Sequence, residues 1–222
     1  MASILSMLGF AQPGTYRPDF SQCVTISLQT FAVLVGLSIT DFLDEPKNQL
    51  PPALHIPLFI ALISLEFRYI FGSAMHLNYV YVKCGEVTGR YPKVVLLFLK
   101  DMAFLVLFGW LAVRIAHSAS FRGFLGCSAG FLLAGLAWSV WDACWQAPSM
   151  RSARGSSIWK TWAVLDGGQI ILTLAIMCLL HYCPNLDFFL ACCLFTVNAV
   201  FLLFDFRSLQ AVFGQEIPNS KS

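Results

Sequence analysis

The sequence predicts an all-α integral membrane protein, a bundle of six transmembrane helices with the N- and C-termini both cytoplasmic. Three observations support this prediction: the composition, six long apolar runs and an uneven distribution of lysine and arginine. Of the 222 residues, 58% are hydrophobic and only 12% are charged, whereas a soluble domain carries about 25% charged residues. A water-soluble fold of this length could not bury so much apolar surface.

Six apolar runs are each long enough for a helix to cross a bilayer, which takes about 20 residues. The predicted spans are about 21–40, 54–82, 94–116, 123–145, 161–182 and 187–209. Prolines and glycines separate the first three spans, and short connections make the later neighbours antiparallel. The chain is therefore divided into an N-terminal interfacial segment (1–20), one transmembrane domain (21–210) and a flexible cytoplasmic tail (211–222).

The orientation follows from lysine and arginine, because these residues are retained on the cytoplasmic side of a membrane. One side would hold Arg17, Lys83, Arg90, Lys93, Arg151, Arg154, Lys160, Arg207 and Lys221. The other would hold only Lys47 and Arg122, with Arg114 nearby. Tryptophans where the fourth span ends and the fifth begins, including Trp138 and Trp162, are expected to form an aromatic belt at the cytoplasmic interface. We expect a multi-pass protein of the plasma or inner membrane, or of an intracellular membrane.

Ionisable residues inside the spans are the main functional signal. A charge at the bilayer centre costs about 3 kcal/mol, so such residues normally face the bundle interior. Arg68 and His76 lie on one face of the second helix, and His76 should be level with Asp101 of the third. The residues expected to line a common polar cavity open to the cytoplasm are Arg68, His76, Lys100, Asp101, Asp142, Asp166, Asn198 and Asp205.

Simpler roles for the same residues stay open. Asp142, Asp205 and Arg207 lie near span ends, where they could be interfacial, and the long side chain of Lys100 could reach the headgroups. Arg68 could serve only to hold helices together.

The leading functional hypothesis is a small channel or transporter. Arg68 or Lys100 would then bind an anionic group or neutralise the carboxylates, and His76 would be the residue that titrates.

The alternative is a membrane-embedded enzyme acting on a lipid or isoprenoid-like substrate, with Glu66 or Asp101 as general acid. The segment Leu65–Tyr69 loosely resembles the acidic motif of the integral-membrane terpene cyclases, although six spans depart from the seven of that family. A third hypothesis is an accessory subunit of a larger membrane complex.

No cofactor and no metal are expected. His55, His117 and His181 lie at the ends of different spans, and none shares a ligand-like spacing with another. The expected partners are membrane lipids and a small solute, ion or lipid substrate, and a net charge of +2 gives no reason to expect nucleic-acid binding. Gly126, Gly130 and Ala134 form a small-residue stripe that could pack a homo-oligomer.

Overall fold

Long helices make up most of the chain that the structure describes. The computed structural model describes residues 20–44, 50–83, 91–145 and 153–213, and within these ranges it contains helices and no strand. The six long helices are α1 (Ser21–Leu43), α2 (Pro52–Leu77), α3 (Tyr91–Ala116), α4 (Phe121–Trp145), α5 (Ala153–Tyr182) and α6 (Asp187–Phe213). A π-helical turn, Asn78–Lys83, continues α2, and a 3-10 turn, Pro184–Leu186, precedes α6.

Each of these six helices is long and apolar enough to cross a membrane, which confirms the predicted number of membrane-length apolar helices. The shortest, α1, has 23 residues. At 1.5 Å per residue it is roughly 35 Å long, more than the ~30 Å thickness of the hydrocarbon core.

The observed helix ends differ most from the predicted spans at α5, which begins at Ala153 instead of 161. The first residues of α5, including Arg154, therefore precede the predicted span. Hydropathy detects only the part of a helix that is apolar, so a polar extension beyond the hydrocarbon core escapes it. The predicted terminal segments fall largely on residues 1–19 and 214–222, outside the described ranges.

The two tight connections are each closed by a side chain at the start of the next helix. The Gly123 N–H donates to Ser120 Oγ (3.1 Å) before α4, and the Phe188 N–H donates to Asp187 Oδ1 (2.7 Å) at the start of α6. These contacts satisfy backbone donors that a helix start leaves free. Because these connections are short, α3 and α4 are antiparallel neighbours, and so are α5 and α6.

The helices form a closed ring in the order α1, α3, α4, α5, α6 and α2, with α2 again packed on α1. More than half of the apolar stretch of α2 and of α4 is buried, whereas the other four helices bury a third or less. The side chains of α2 and α4 therefore form most of the interior.

An aromatic group connects α2, α3 and α4. The ring of Tyr69 lies 4.8 Å from that of Phe108 and 4.7 Å from that of Phe131, measured between centroids. Tyr69 also reaches across to Gly135, where an added Cβ would be 2.0 Å from the tyrosine hydroxyl oxygen. A side chain at position 135 would therefore collide with α2.

The predicted small-residue stripe of α4, Gly126, Gly130 and Ala134, does not include the residue that contacts Tyr69. Gly126 is exposed and an added Cβ there would have no atom within 4 Å, whereas at Gly130 it would be 3.9 Å from Leu111. Ala134 is buried. The contact of α4 with Tyr69 of α2 is thus at Gly135, next to the stripe, and an oligomer through the predicted stripe stays a prediction.

We expect Gly135→Ala to destabilise the protein, because overpacking a core costs about 1–3 kcal/mol. The matched control is Gly126→Ala, which gains the same helix propensity without a collision. In detergent, Gly135→Ala should melt a few degrees below Gly126→Ala. Equal melting temperatures would contradict the close contact between α4 and Tyr69.

Candidate functional site

Buried polar side chains gather in two groups inside the ring. The Arg68 cluster consists of Arg68, Tyr69, Asp166, Gln169, Asn198 and Asp205. The Asp101 cluster consists of His76, Tyr81, Lys100, Asp101, Trp138 and Asp142. The two clusters share α2, which supplies Arg68 to one and His76 to the other.

The guanidinium of Arg68 is shared among three acceptors. Its Nη2 lies 2.6 Å from Asp166 Oδ1, its Nε donates to Asp205 Oδ2, and its Nη1 donates to Gln169 Oε1. Arg68 and both carboxylates are at most 4% exposed. Of the two roles that the transport hypothesis gives Arg68, these contacts favour neutralising the carboxylates over binding an anion.

The remaining members of the Arg68 cluster extend its hydrogen bonds. Gln169 Nε2 donates to Asn198 Oδ1 (2.7 Å), and Asn198 Nδ2 donates to the Ala61 carbonyl oxygen (2.9 Å). The Tyr69 hydroxyl donates to Asp166 Oδ1 (3.0 Å). Hydrogen bonds between side chains are a main means of holding helices together in lipid, and here they connect α2, α5 and α6.

Asp101 is the centre of the second cluster. Its Oδ1 accepts from Trp138 Nε1 (2.7 Å) and lies 2.7 Å from Lys100 Nζ. Its Oδ2 accepts from the Tyr81 hydroxyl (2.5 Å) and lies 3.2 Å from His76 Nε2. Asp101 is therefore fixed from α2, α3 and α4 at once.

Asp142 completes this cluster from α4 and is less fully bonded. Lys100 Nζ donates to Asp142 Oδ1, and Asp142 Oδ2 lies 3.7 Å from His76 Nε2. Asp142 Oδ2 is buried and has no hydrogen-bond partner among the described residues. One ligand atom each from His76, Asp101 and Asp142 can be chosen so that all lie within 4.8 Å of one another.

A cavity of about 20 Å³ borders both clusters. Its wall includes Arg68, Ser73, Trp138, Ser139, Asp166 and Asp205. A space of this size holds one or two water molecules. Ser73 Oγ and Asp205 Oδ1 are buried without a partner in the part of the chain that the structure describes, so this region has polar atoms available for a bound molecule.

The predicted site residues are distributed over these features. Arg68, Asp166 and Asp205 line the cavity, and Asn198 lies behind them against Gln169. The other four predicted residues, His76, Lys100, Asp101 and Asp142, form the Asp101 cluster.

The simpler role of an interfacial charge does not describe Asp142 or Asp205, because both are buried and contact basic side chains. Arg207, in contrast, is exposed.

Glu66 lies outside both clusters. Its carboxylate accepts from Ser38 of α1, and its Oε2 has no hydrogen-bond partner within the described ranges. The two candidate catalytic acids, Glu66 and Asp101, therefore do not share a site.

Sequence reasoning missed several members of the clusters. Trp138 and Trp162, expected in an aromatic belt, are buried, and Trp138 donates to Asp101. Gln169 follows Asp166 by one helical turn, so the helical period could have indicated it. Tyr81 lies in the π-helical turn, where that period no longer applies.

Six helices long and apolar enough to cross a membrane, within the described residues, indicate a multi-pass α-helical membrane protein. No family model, curated protein or solved structure matches the chain. A functional assignment therefore depends on the geometry of the two clusters.

We expect Arg68→Met to lower the unfolding free energy by about 3–5 kcal/mol, because it leaves two buried carboxylates facing each other. The unfolding free energy of Arg68→Lys should lie between those of the unaltered protein and Arg68→Met, since an ammonium keeps the charge but cannot reproduce the paired donors of the guanidinium. Arg114→Met, at an exposed position of α3, is the control and should change little. Unfolding of purified protein in detergent measures this, and equal stability of Arg68→Met and Arg114→Met would contradict the burial of the pair.

Proposed function

We propose that the protein is a small membrane transporter that carries a cationic solute through a polar site opening to the cytoplasm. The observation that carries this proposal is the meeting of charged side chains from five helices, α2 to α6, in the interior. Asp101, Asp142, Asp166 and Asp205 supply four negative charges when ionised, against two positive charges from Arg68 and Lys100 and a third when His76 is protonated.

The surplus of carboxylates supports transport over a purely structural role. Residues that only hold helices together are best matched in charge, because an uncompensated buried charge is costly. Here Asp142 Oδ2 and Asp205 Oδ1 are buried and lack hydrogen-bond partners among the residues described. A bound cation would supply the missing partner.

The size of the cavity favours a carrier over an open channel. A space of about 20 Å³ is too small for a continuous aqueous pore. A carrier instead exposes a central site to one side of the membrane at a time. The contacts of Arg68 with α5 and α6 would have to rearrange during such a cycle.

The proposed direction of opening follows from the charge count along the sequence. Asp101 lies in the first part of α3 and Asp142 near the end of α4, which are the helix ends that the lysine and arginine excess assigns to the cytoplasm. A homo-oligomer through Gly126, Gly130 and Ala134, and residence in a plasma, inner or intracellular membrane, belong to the same proposal.

An enzyme acting on a lipid or isoprenoid-like substrate is the second candidate, and Glu66 is the observation that favours it. Its carboxyl group is buried with an oxygen that has no partner in the described chain, as suits a general acid in an apolar environment. Product formation from prenyl or acyl substrates, lost in Glu66→Gln, would support this candidate, and its absence in the unaltered protein would argue against it.

The transport proposal is tested with purified protein in liposomes and a panel of labelled rubidium, sodium, methylammonium and manganese ions. At least one of these should accumulate. Asp205→Asn should slow its uptake by at least about tenfold, which corresponds to a loss of ~1.4 kcal/mol of cation binding. The substitution leaves Arg68 its contact with Asp166, so the fold should be retained.

The matched control is Asp187→Asn, which removes a carboxylate at the opposite end of the same helix and keeps an oxygen for the helix start. This variant should transport like the unaltered protein. No uptake of any of the four cations, or equal uptake by both variants, would contradict the proposal.

A further inference from the structure

We propose that His76, Asp101 and Asp142 bind a divalent transition-metal ion, and that the ammonium group of Lys100 opposes its binding. This inference does not rest on transport, because metal binding is a property of the folded protein in detergent.

The separations among the three residues match a metal site. Ligand atoms about 2.1 Å from a shared metal ion lie roughly 3–4 Å from one another. His76 Nε2 is 3.2 Å from Asp101 Oδ2 and 3.7 Å from Asp142 Oδ2. Both distances are in that range, and ligand atoms of all three residues lie within 4.8 Å of one another, so a shared ion would draw the ligands closer together.

The three ligands are also held in place by the bundle. They come from α2, α3 and α4 and are at most 3% exposed. Asp101 receives hydrogen bonds from Trp138 Nε1 and from the Tyr81 hydroxyl. A carboxylate oxygen has two lone pairs, so Asp101 Oδ2 can keep the Tyr81 bond and use the other pair for a metal. Such outer contacts orient metal ligands.

The unpartnered carboxylate oxygen of Asp142 is a second, independent observation in favour of a metal site. Its Oδ2 is buried, faces His76 Nε2 and has no hydrogen-bond partner in the part of the protein that is described. Burying a hydrogen-bond acceptor in this position lowers the stability of the fold unless a donor or a cation binds it. A metal ion bound next to His76 Nε2 would give Asp142 Oδ2 a positive partner.

The donor set indicates which metals fit. Calcium and magnesium prefer sites made of oxygen alone, whereas copper(I) prefers thiolates and thioethers. One imidazole nitrogen with two carboxylates suits manganese(II), iron(II), cobalt(II) or zinc(II).

Lys100 explains how the site tolerates the absence of a metal. Its Nζ lies 2.7 Å from Asp101 Oδ1 and donates to Asp142 Oδ1, so it holds the other oxygen of each carboxylate. With His76 neutral, as an imidazole must be to bind a metal, one ammonium leaves the carboxylate pair with a surplus negative charge, whereas a divalent ion would neutralise both. The Lys100 side chain is 12% exposed, more than either carboxylate, so its ammonium can withdraw toward the headgroups when a metal enters.

The test is titration of metal-free protein, purified in detergent through a tag without histidine, with cobalt(II). Visible absorption reports an ion in a low-symmetry nitrogen and oxygen site, and calorimetry with zinc(II) gives its affinity. Asp142→Asn should weaken binding by at least about tenfold because it removes a ligand charge. Lys100→Met should tighten binding by about tenfold because it removes an opposing charge.

Asp187→Asn is the control, since it alters a carboxylate at the start of α6 that accepts from the Phe188 N–H, and it should leave metal affinity unchanged. Tighter binding by Lys100→Met could not be explained by misfolding, because a misfolded protein would bind the metal less tightly. The inference is overturned if neither the unaltered protein nor Lys100→Met binds cobalt saturably, or if Asp142→Asn binds as well as the unaltered protein. Saturable binding that Lys100→Met fails to tighten would overturn the role of Lys100. Metal binding without cation uptake in liposomes would leave this site intact and argue only against transport.

Discussion

The ion pairs of Arg68 with Asp166 and Asp205 are the contact on which the rest of the structure depends. Lipid tails are as apolar as the helix surfaces, so burial of apolar area does little to hold helices together in a membrane. Close packing and polar contacts must supply that attraction. Arg68 lies well inside the span Pro52–Val82 and contacts side chains of both α5 and α6. Its burial is tolerable only because these helices surround it.

The same helix carries the second cluster, which makes α2 the central element. His76, two helical turns beyond Arg68, contacts Asp101 of α3 and lies near Asp142 of α4. Glu66 connects α2 to α1 through Ser38. Each of the other helices therefore has a polar contact with α2, and any movement of α2 during a transport cycle would alter both clusters together.

Much of this arrangement follows from the sequence because the membrane imposes simple rules. Apolar length predicted six helices, and the helical period placed Arg68 and His76 on one face. The partners of these residues on α5 and α6 depend on which helices are neighbours, and hydropathy carries no such information. The sequence placed His76 level with Asp101 and expected both, with Asp142, in one polar interior, but the approach of Asp142 to His76 cannot be read from any spacing because the three residues come from three helices. Trp138 was assigned to the interface from its position near a helix end, yet its indole is directed inward to Asp101.

The most direct test of the account is a double-mutant cycle between Arg68 and Asp205, measured as unfolding free energies in detergent. If the two side chains form a buried pair, Arg68→Met and Asp205→Asn will not be additive. The loss of unfolding free energy in the double variant will then be smaller than the sum of the two single losses by about 1–3 kcal/mol. Additive effects would show that Arg68 and Asp205 do not interact and would contradict the interior ionic network.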